Sequence, residues 1–211
     1  MTRLAVMIDW PYSLIPTSYM ESLWASDVRL EPDVFLVRSG GPNPDICMNA
    51  ATTYALDQGA DELLCVSCDQ LVPPNILKKF RAHDKDIVGA LTATRQLGTD
   101  HHWLTFEFNR EQGFVQKDPT EPFQRMDGVG AGCCLIKRRV FEKIPAPWFF
   151  TTTDVTGTKL VVTSDFNFFA NCRKYGVEIY VDAEVVSDHQ YEMWLNAQSL
   201  GRKTPRRDVV R

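Results

Sequence analysis

Short apolar runs, each closed by polar or Gly/Pro punctuation, alternate along the first ninety residues with stretches of helical spacing. Residues 4–8, 34–37, 63–66 and 86–91 read as buried strands. Between them, a helix is expected from Thr17 as N-cap through Met20, Leu23 and Trp24. A second is expected with Ile46, Ala50, Tyr54 and Ala55 on one face, ending before Gly59. After Pro73-Pro74, Ile76, Leu77 and Phe80 recur at helical spacing with Lys78, Lys79 and Arg81 opposite. Strands alternating with helices imply a parallel sheet with right-handed crossovers. Its centre is residues 59–79, GADELLCVSCDQLVPPNILKK, which reads strand, short loop, helix. The loop Ser67-Cys68-Asp69-Gln70 emerges at the carboxyl end of that strand, the edge where open α/β sheets bind ligands.

Beyond residue 91 the pattern changes. Residues 92–102 are polar, with Arg95, Asp100, His101 and His102. Residues 103–108 alternate in β fashion, 109–113 form a turn and 114–116 return, a hairpin signal. Residues 126–139, MDGVGAGCCLIKRR, carry three glycines in five positions, where backbone can approach a ligand closely, before a strand at 133–136 and a short helix at 137–144. A Thr-rich hairpin is expected over 151–162, a helix opening at Thr163-Ser164-Asp165 and closed by Gly176, and a strand at 177–181. A turn at 182–184 leads to a last short strand ending at Asp188-His189, and residues 191–200 read as a short amphipathic helix with Trp194 and Leu195.

Composition narrows the class. The 211 residues are 44% hydrophobic and 24% charged with a net charge of -4, an ordinary globular chain with no general affinity for nucleic acid. The exception is a basic tail, GRKTPRRDVVR at 201–211, read as flexible. No apolar run reaches membrane-spanning length, and the first residues turn polar too soon for a signal peptide. The six cysteines, 47, 65, 68, 133, 134 and 172, form no spaced disulfide framework, which suits a reducing, cytoplasmic setting. Cys65 and Cys68 are formally C-x-x-C, but residues three apart on a strand point to opposite faces, which is poor geometry for a shared metal or a bridge.

An acid at a strand end is most often a turn former, and one in the first turn of a helix complements its dipole. Asp69 and Asp165 carry those bland readings, and His189 that of a structural histidine. The surroundings say more. The 59–91 stretch, GADELLCVSCDQLVPPNILKKFRAHDKDIVGAL, resembles the nucleotide-sugar-dependent glycosyltransferases of the GT-A fold, family 2-like, in which a central strand ends in Asp-x-Asp before a Pro-started helix. VGAGCCLIKRRVFEKI followed by PAPWFF resembles the segment of the same family that closes over the donor sugar and meets the acceptor. The likeness covers nearly the whole chain.

The resemblance implies a GT-A-like α/β domain over residues 1–200, with a Rossmann-type sheet of mixed strands flanked by helices. Residues 1–91 would hold the nucleotide and 92–200 the acceptor. It implies a nucleotide-sugar donor, an acceptor of unspecified kind, and Mn²⁺ or Mg²⁺, since hard oxygen ligands suit those ions and an imidazole favours Mn²⁺. Carried over residue by residue, Asp69 and His189 are metal ligands; Asn49, Ser67, Asp69, Gly130 and Gly132 contact the donor; Trp148 and Phe149 meet the acceptor; Asp165 is the base or holds the acceptor hydroxyl. Three positions depart from the pattern: Ser67 replaces the first acid of Asp-x-Asp, Met48 an Arg before Asn49, and Ser164 the first member of an acidic pair. Arg38 is the candidate replacement for the missing Arg. These losses keep open a degenerate glycosyltransferase acting as a binding module. A nucleotidyltransferase ranks lower, because Asp9-Trp10-Pro11-Tyr12 stands where a Gly-rich basic phosphate loop belongs.

Overall fold

The computed structural model describes residues 2–9, 15–39, 43–94 and 102–189. The loop positions 40–42, Arg95, Asp100, His101, the helix expected at 191–200 and the basic tail lie outside them, as does the side chain of Asp9.

In chain order the first half contributes β1 (Leu4–Asp9), α1 (Thr17–Ala25), β2 (Val34–Ser39), α2 (Pro44–Asp57), β3 (Glu62–Ser67), α3 (Ile76–Ala82) and β4 (Ile87–Thr92). The second half contributes β5 (Thr105–Asn109), β6 (Gly113–Gln116), β7 (Phe123–Met126), β8 (Gly128–Val129), β9 (Cys133–Lys137), α4 (Arg138–Lys143), β10 (Thr152–Thr153), β11 (Leu160–Val162), α5 (Ser164–Lys174) and β12 (Ile179–Ser187). Seven strands form one sheet in the order β2-β1-β3-β9-β4-β12-β7. β1 runs parallel to β2 and β3, and β12 parallel to β4. β9 is antiparallel to both β3 and β4 and lies between them, and β7 adds an antiparallel edge. The two halves of the sequence thus share one mixed sheet, because a strand from the second half splits the parallel set of the first. A smaller sheet, β6-β5-β8, and the β10-β11 hairpin sit apart from it.

Helices cover both faces. On one, Met48, Ala51 and Ala55 of α2, Val140 and Phe141 of α4, and Phe168, Phe169 and Cys172 of α5 pack on Ala5, Met7, Leu63, Cys65, Cys134 and Ile136. On the other, Tyr19 and Leu23 of α1 and Ile76, Leu77 and Phe80 of α3 pack on Leu4, Val6, Leu64, Val66, Cys133 and Leu135. This double cover explains the continuous apolar runs of β3 and β4. Cys65 and Cys68 belong to opposite layers, as their spacing requires, and all six cysteines are free thiols.

The helix faces needed correction. α2 buries Met48, Ala51, Thr52 and Ala55, while Ile46, Ala50 and Tyr54 are exposed. The sequence carries two apolar stripes there, and the one with small residues lets the helix lie close on the sheet. In α1 the buried pair is Tyr19 and Leu23; Met20 and Trp24 face outward, and Pro16 rather than Thr17 precedes the first helical residue. The turn expected at 182–184 is an irregularity inside β12, between Asp182 and Val186. There the Asp182 carboxylate accepts from Glu184 N at 3.0 Å and pairs with His83 Nε2 at 2.8 Å. β7 had no strand signal of its own, and its pairing with β12 makes it one.

Candidate functional site

The carboxyl ends of β3 and β12 and the start of α5 open onto one cavity of about 530 Å³. Its polar wall is Ser67, Asp69, Gln70, Thr163, Asp165 and His189. Its apolar lining is Leu104 and Phe106 of the small-sheet region, Val129 of β8, and Phe166 of α5. Gly130, Ala131 and Gly132 complete it along the run into β9. The volume is in the range of small-molecule sites.

The loop that carries Asp69 is stitched to several elements. Ser67 N donates to Gly132 O at 2.7 Å and Gln70 N to Ser67 O at 3.0 Å, closing a tight turn around Cys68-Asp69. Leu71 N donates to Asp188 O at 2.9 Å, and Val72 N to Ser22 Oγ on α1 at 3.0 Å. Gln70 is 3% exposed, and its amide nitrogen lies 2.8 Å from His189 Nε2. Gly132 must be glycine for this loop: a Cβ there would stand 2.4 Å from Gln70 Nε2 and 2.8 Å from Ser67 Oγ. Its absence of side chain serves the protein's own packing, whatever contact it makes with a ligand.

His189 is fixed from both sides. Its Nδ1 lies 2.5 Å from the carbonyl oxygen of Ala93. A carbonyl only accepts, so Nδ1 carries the proton and Nε2 is left to accept from the Gln70 amide. Asp165 is the second residue of α5, where Thr163 is the N-cap position and makes no side-chain cap bond. Its carboxylate therefore joins the cavity wall from the first turn of the helix, where the helix dipole favours negative charge.

Of the residues singled out from sequence, Ser67, Asp69, Gly130, Gly132, Asp165 and His189 line this one cavity. Asn49, Trp148 and Phe149, expected at the donor and the acceptor, are not among its lining residues. Asn49 Oδ1 accepts from Trp148 N at 2.9 Å and Phe149 N at 3.2 Å, and its Nδ2 donates to Asp45 O at 2.8 Å and Phe149 O at 2.5 Å. Both lone pairs and both protons of the amide are used, so it clamps α2 to the 148–149 segment rather than facing a donor. Trp148 is 9% exposed and Phe149 2%. The indole N–H donates to Ile144 O at 2.9 Å and Phe141 O at 3.2 Å, and Phe149 stacks on Phe168 at 4.9 Å between centroids. Both rings are thus packed into the core. Met48 is likewise a core residue.

Sequence reading missed Gln70, Leu104, Phe106 and Phe166. The signal for the aromatics was present: Phe106 sits in an alternating strand and Phe166 follows Asp165 directly. Phe106 meets Phe166 edge to face at 4.8 Å, and Phe114 stacks on Phe166 at 4.9 Å, so an aromatic cluster from three elements backs the apolar wall.

A divalent cation fits this donor set in part. Asp69 and His189 face the same cavity, an oxygen and an imidazole nitrogen, and His189 donates its other ring nitrogen to a carbonyl as metal-bound histidines do. Among the described residues no group of three or more His, Cys, Asp or Glu side chains is assembled for a metal.

The sheet order, the two helical layers and the site at the carboxyl edge define a glycosyltransferase-like α/β fold of the GT-A type. Among solved structures, A197 from STIV superposes with a TM-score of 0.65 over 90% of this chain and 87% of its own, at 16% identity. GalNAc-T7, solved with UDP, GalNAc and Mn²⁺, superposes with a TM-score of 0.64 over 91% of this chain and 44% of its own, at 12% identity. At these identities the likeness is one of fold, and this chain spans less than half of the second protein. No family profile matches the chain, and no curated protein matches it in sequence. Among the described residues no helix is long and apolar enough to cross a membrane.

Proposed function

We propose that this chain is a glycosyltransferase that moves a sugar from a nucleotide-sugar donor to an acceptor hydroxyl with the help of Mn²⁺ or Mg²⁺. The observation that carries the reading is that Asp69, Asp165 and His189, far apart in sequence, line one cavity together with the apolar Leu104, Phe106 and Phe166. Asp69 and His189 would hold the cation, which when bound neutralises the charge gathering on the departing diphosphate. Asp165 accepts the acceptor's hydroxyl proton at a carboxylate oxygen, the role of a general base. Leu104, Phe106 and Phe166 exclude water beside it and offer flat apolar surface to the C–H face of a sugar. The nucleotide is assigned to the half formed by residues 1–91, and the acceptor to residues 92–200. The free thiols fit a reducing, cytoplasmic setting.

The experiment is transfer and donor hydrolysis over a panel of sugar nucleotides, with and without Mn²⁺, on the native chain and on Asp69→Ala. One donor should turn over in a metal-dependent way, and Asp69→Ala should abolish it while melting nearly as the native protein does, since a strand-end loop acid carries little packing. A protein that binds a sugar nucleotide yet turns over none would instead be the non-catalytic binding module. The loss of family residues at Ser67, Met48 and Ser164 favours that second reading, as does the structural use of Asn49.

A further inference from the structure

The bond between Gln70 and His189 has a direct bearing on cation binding. Nδ1 of His189 is committed to the Ala93 carbonyl, so Nε2 is the one ring atom with a lone pair to give a metal. That lone pair faces the amide nitrogen of Gln70 at 2.8 Å. The amide is held from behind. Its oxygen lies 3.3 Å from the Ser187 hydroxyl, whose proton is shared with Leu71 O at 2.9 Å. Gly132 leaves just enough room for it, since any Cβ there would fall 2.4 Å from the amide nitrogen. The backbone on either side is pinned by the Ser67–Gln70 turn and by the bridge pairing Gln70 with His189. An acceptor nitrogen, a donor amide and a glycine cut to fit are three separate features, and each would be indifferent to the others if Gln70 only filled space.

We propose that Gln70 is a positioning residue that latches His189, and that a divalent cation at Asp69 gains the imidazole as a ligand only by displacing the Gln70 amide from Nε2. The inference rests on the reading of Asp69 and His189 as cation ligands and adds the group that competes with the cation. The cation site is then set weaker than its donor atoms alone would make it, and movement of Gln70 toward the cavity accompanies loading. The Nδ1–H tautomer persists throughout, because the Ala93 carbonyl and not Gln70 enforces it.

The test uses the full chain and manganese(II) chloride alone as the probe. Free Mn²⁺ is followed by its paramagnetic resonance signal for the native protein, Gln70→Ala, Gln70→Met, His189→Ala and the Gln70→Ala/His189→Ala double variant. Gln70→Met keeps the volume without the donor, so a packing defect in the alanine variant does not decide the outcome. Removing one competing hydrogen bond should tighten Mn²⁺ binding by roughly 2- to 10-fold in both Gln70 variants. The gain should vanish once His189 is absent. Separately, nitrogen NMR on metal-free protein should show His189 protonated at Nδ1 with a hydrogen-bonded lone pair at Nε2. Substituting Gln70 should move the Nε2 resonance and leave the tautomer unchanged.

Unchanged or weaker Mn²⁺ binding in both Gln70 variants would overturn the latch, as would a proton on Nε2 in the native protein. If no sample binds Mn²⁺, the cation reading itself falls. The NMR comparison then decides the latch alone: an Nε2 resonance indifferent to Gln70 refutes it.

Discussion

Two groups of residues make an instructive contrast. Asp69, Asp165 and His189 follow or begin a regular element at the carboxyl edge of the sheet, and all three reach the cavity. Asn49 on α2, and Trp148 and Phe149 on the irregular segment that follows α4, sit over one face of the sheet, and all three are absorbed by the fold. Both groups looked equally functional as isolated residue types. The difference is where the backbone puts them. At a strand end the chain leaves the sheet, and its side chains face a crevice between loops. In the layer that covers the sheet a polar side chain meets backbone groups that must be satisfied, and an aromatic ring meets a core that takes it up.

The contrast is broken most sharply at Asp165. Asp165→Asn keeps size and a hydrogen-bonding oxygen and removes the negative charge. If Asp165 accepts the acceptor's proton, turnover should fall by roughly 10²–10⁴-fold, while stability changes by about 0.3–1 kcal/mol, the worth of a charge near a helix N-terminus. Donor and Mn²⁺ affinities should hold, because Asp69 and His189 are untouched. Turnover, affinity and melting temperature on one sample check it, and near-normal turnover would move Asp165 to the structural group.

The structural group should behave the opposite way. Phe149→Ala removes a ring stacked on Phe168 and should cost about 3–5 kcal/mol of stability. Asn49→Ala strands the N–H groups of Trp148 and Phe149 and should cost about 1–3 kcal/mol. In both, donor affinity of whatever protein remains folded should match the native value. Denaturant unfolding alongside donor titration measures the two effects separately, and a loss of affinity without a loss of stability would return Asn49 to the donor site.

A last effect, confined to alkaline pH, is expected in the thiols of the core. Burial pushes the Cys133 thiol up to about 12. A hydrogen bond donated to Cys65, together with burial, raises Cys134, and burial raises Cys172. A raised thiol keeps its proton in the folded chain after the unfolded chain has lost it. Stability from these groups is therefore complete below the unfolded value, roughly pH 8.5, and declines as pH rises from there toward 12, by about 1.4 kcal/mol per pH unit for each such thiol. Unfolding curves between pH 8 and 11 should show that slope, and Cys133→Ala should reduce it. A flat profile would mean that the thiols ionise in place.

Much of this protein was legible in the sequence by itself. Buried strands announce themselves by apolar runs, so β1, β3, β4 and β9 could be read to within a residue or two, as could the Gly-closed helix α5, whose Gly176 adopts a φ of 65° after the last turn. The strand-loop-helix unit fixed Asp69 at a carboxyl edge, because chain direction follows from residue order alone. Tertiary structure decided what depends on partners distant in the chain. β9 entered between β3 and β4, and β7 became a strand, through pairing that local pattern does not encode. Which of two apolar stripes on α2 was buried depended on how close the sheet lies. Gln70 became the partner of His189, 119 residues away, and Asn49 that of Phe149, 100 residues away. A hydrogen-bonding group declares its type in the sequence, but its partner exists only once the chain has brought the two within 3 Å or so, and that partner determines whether the group supports the fold or faces a ligand.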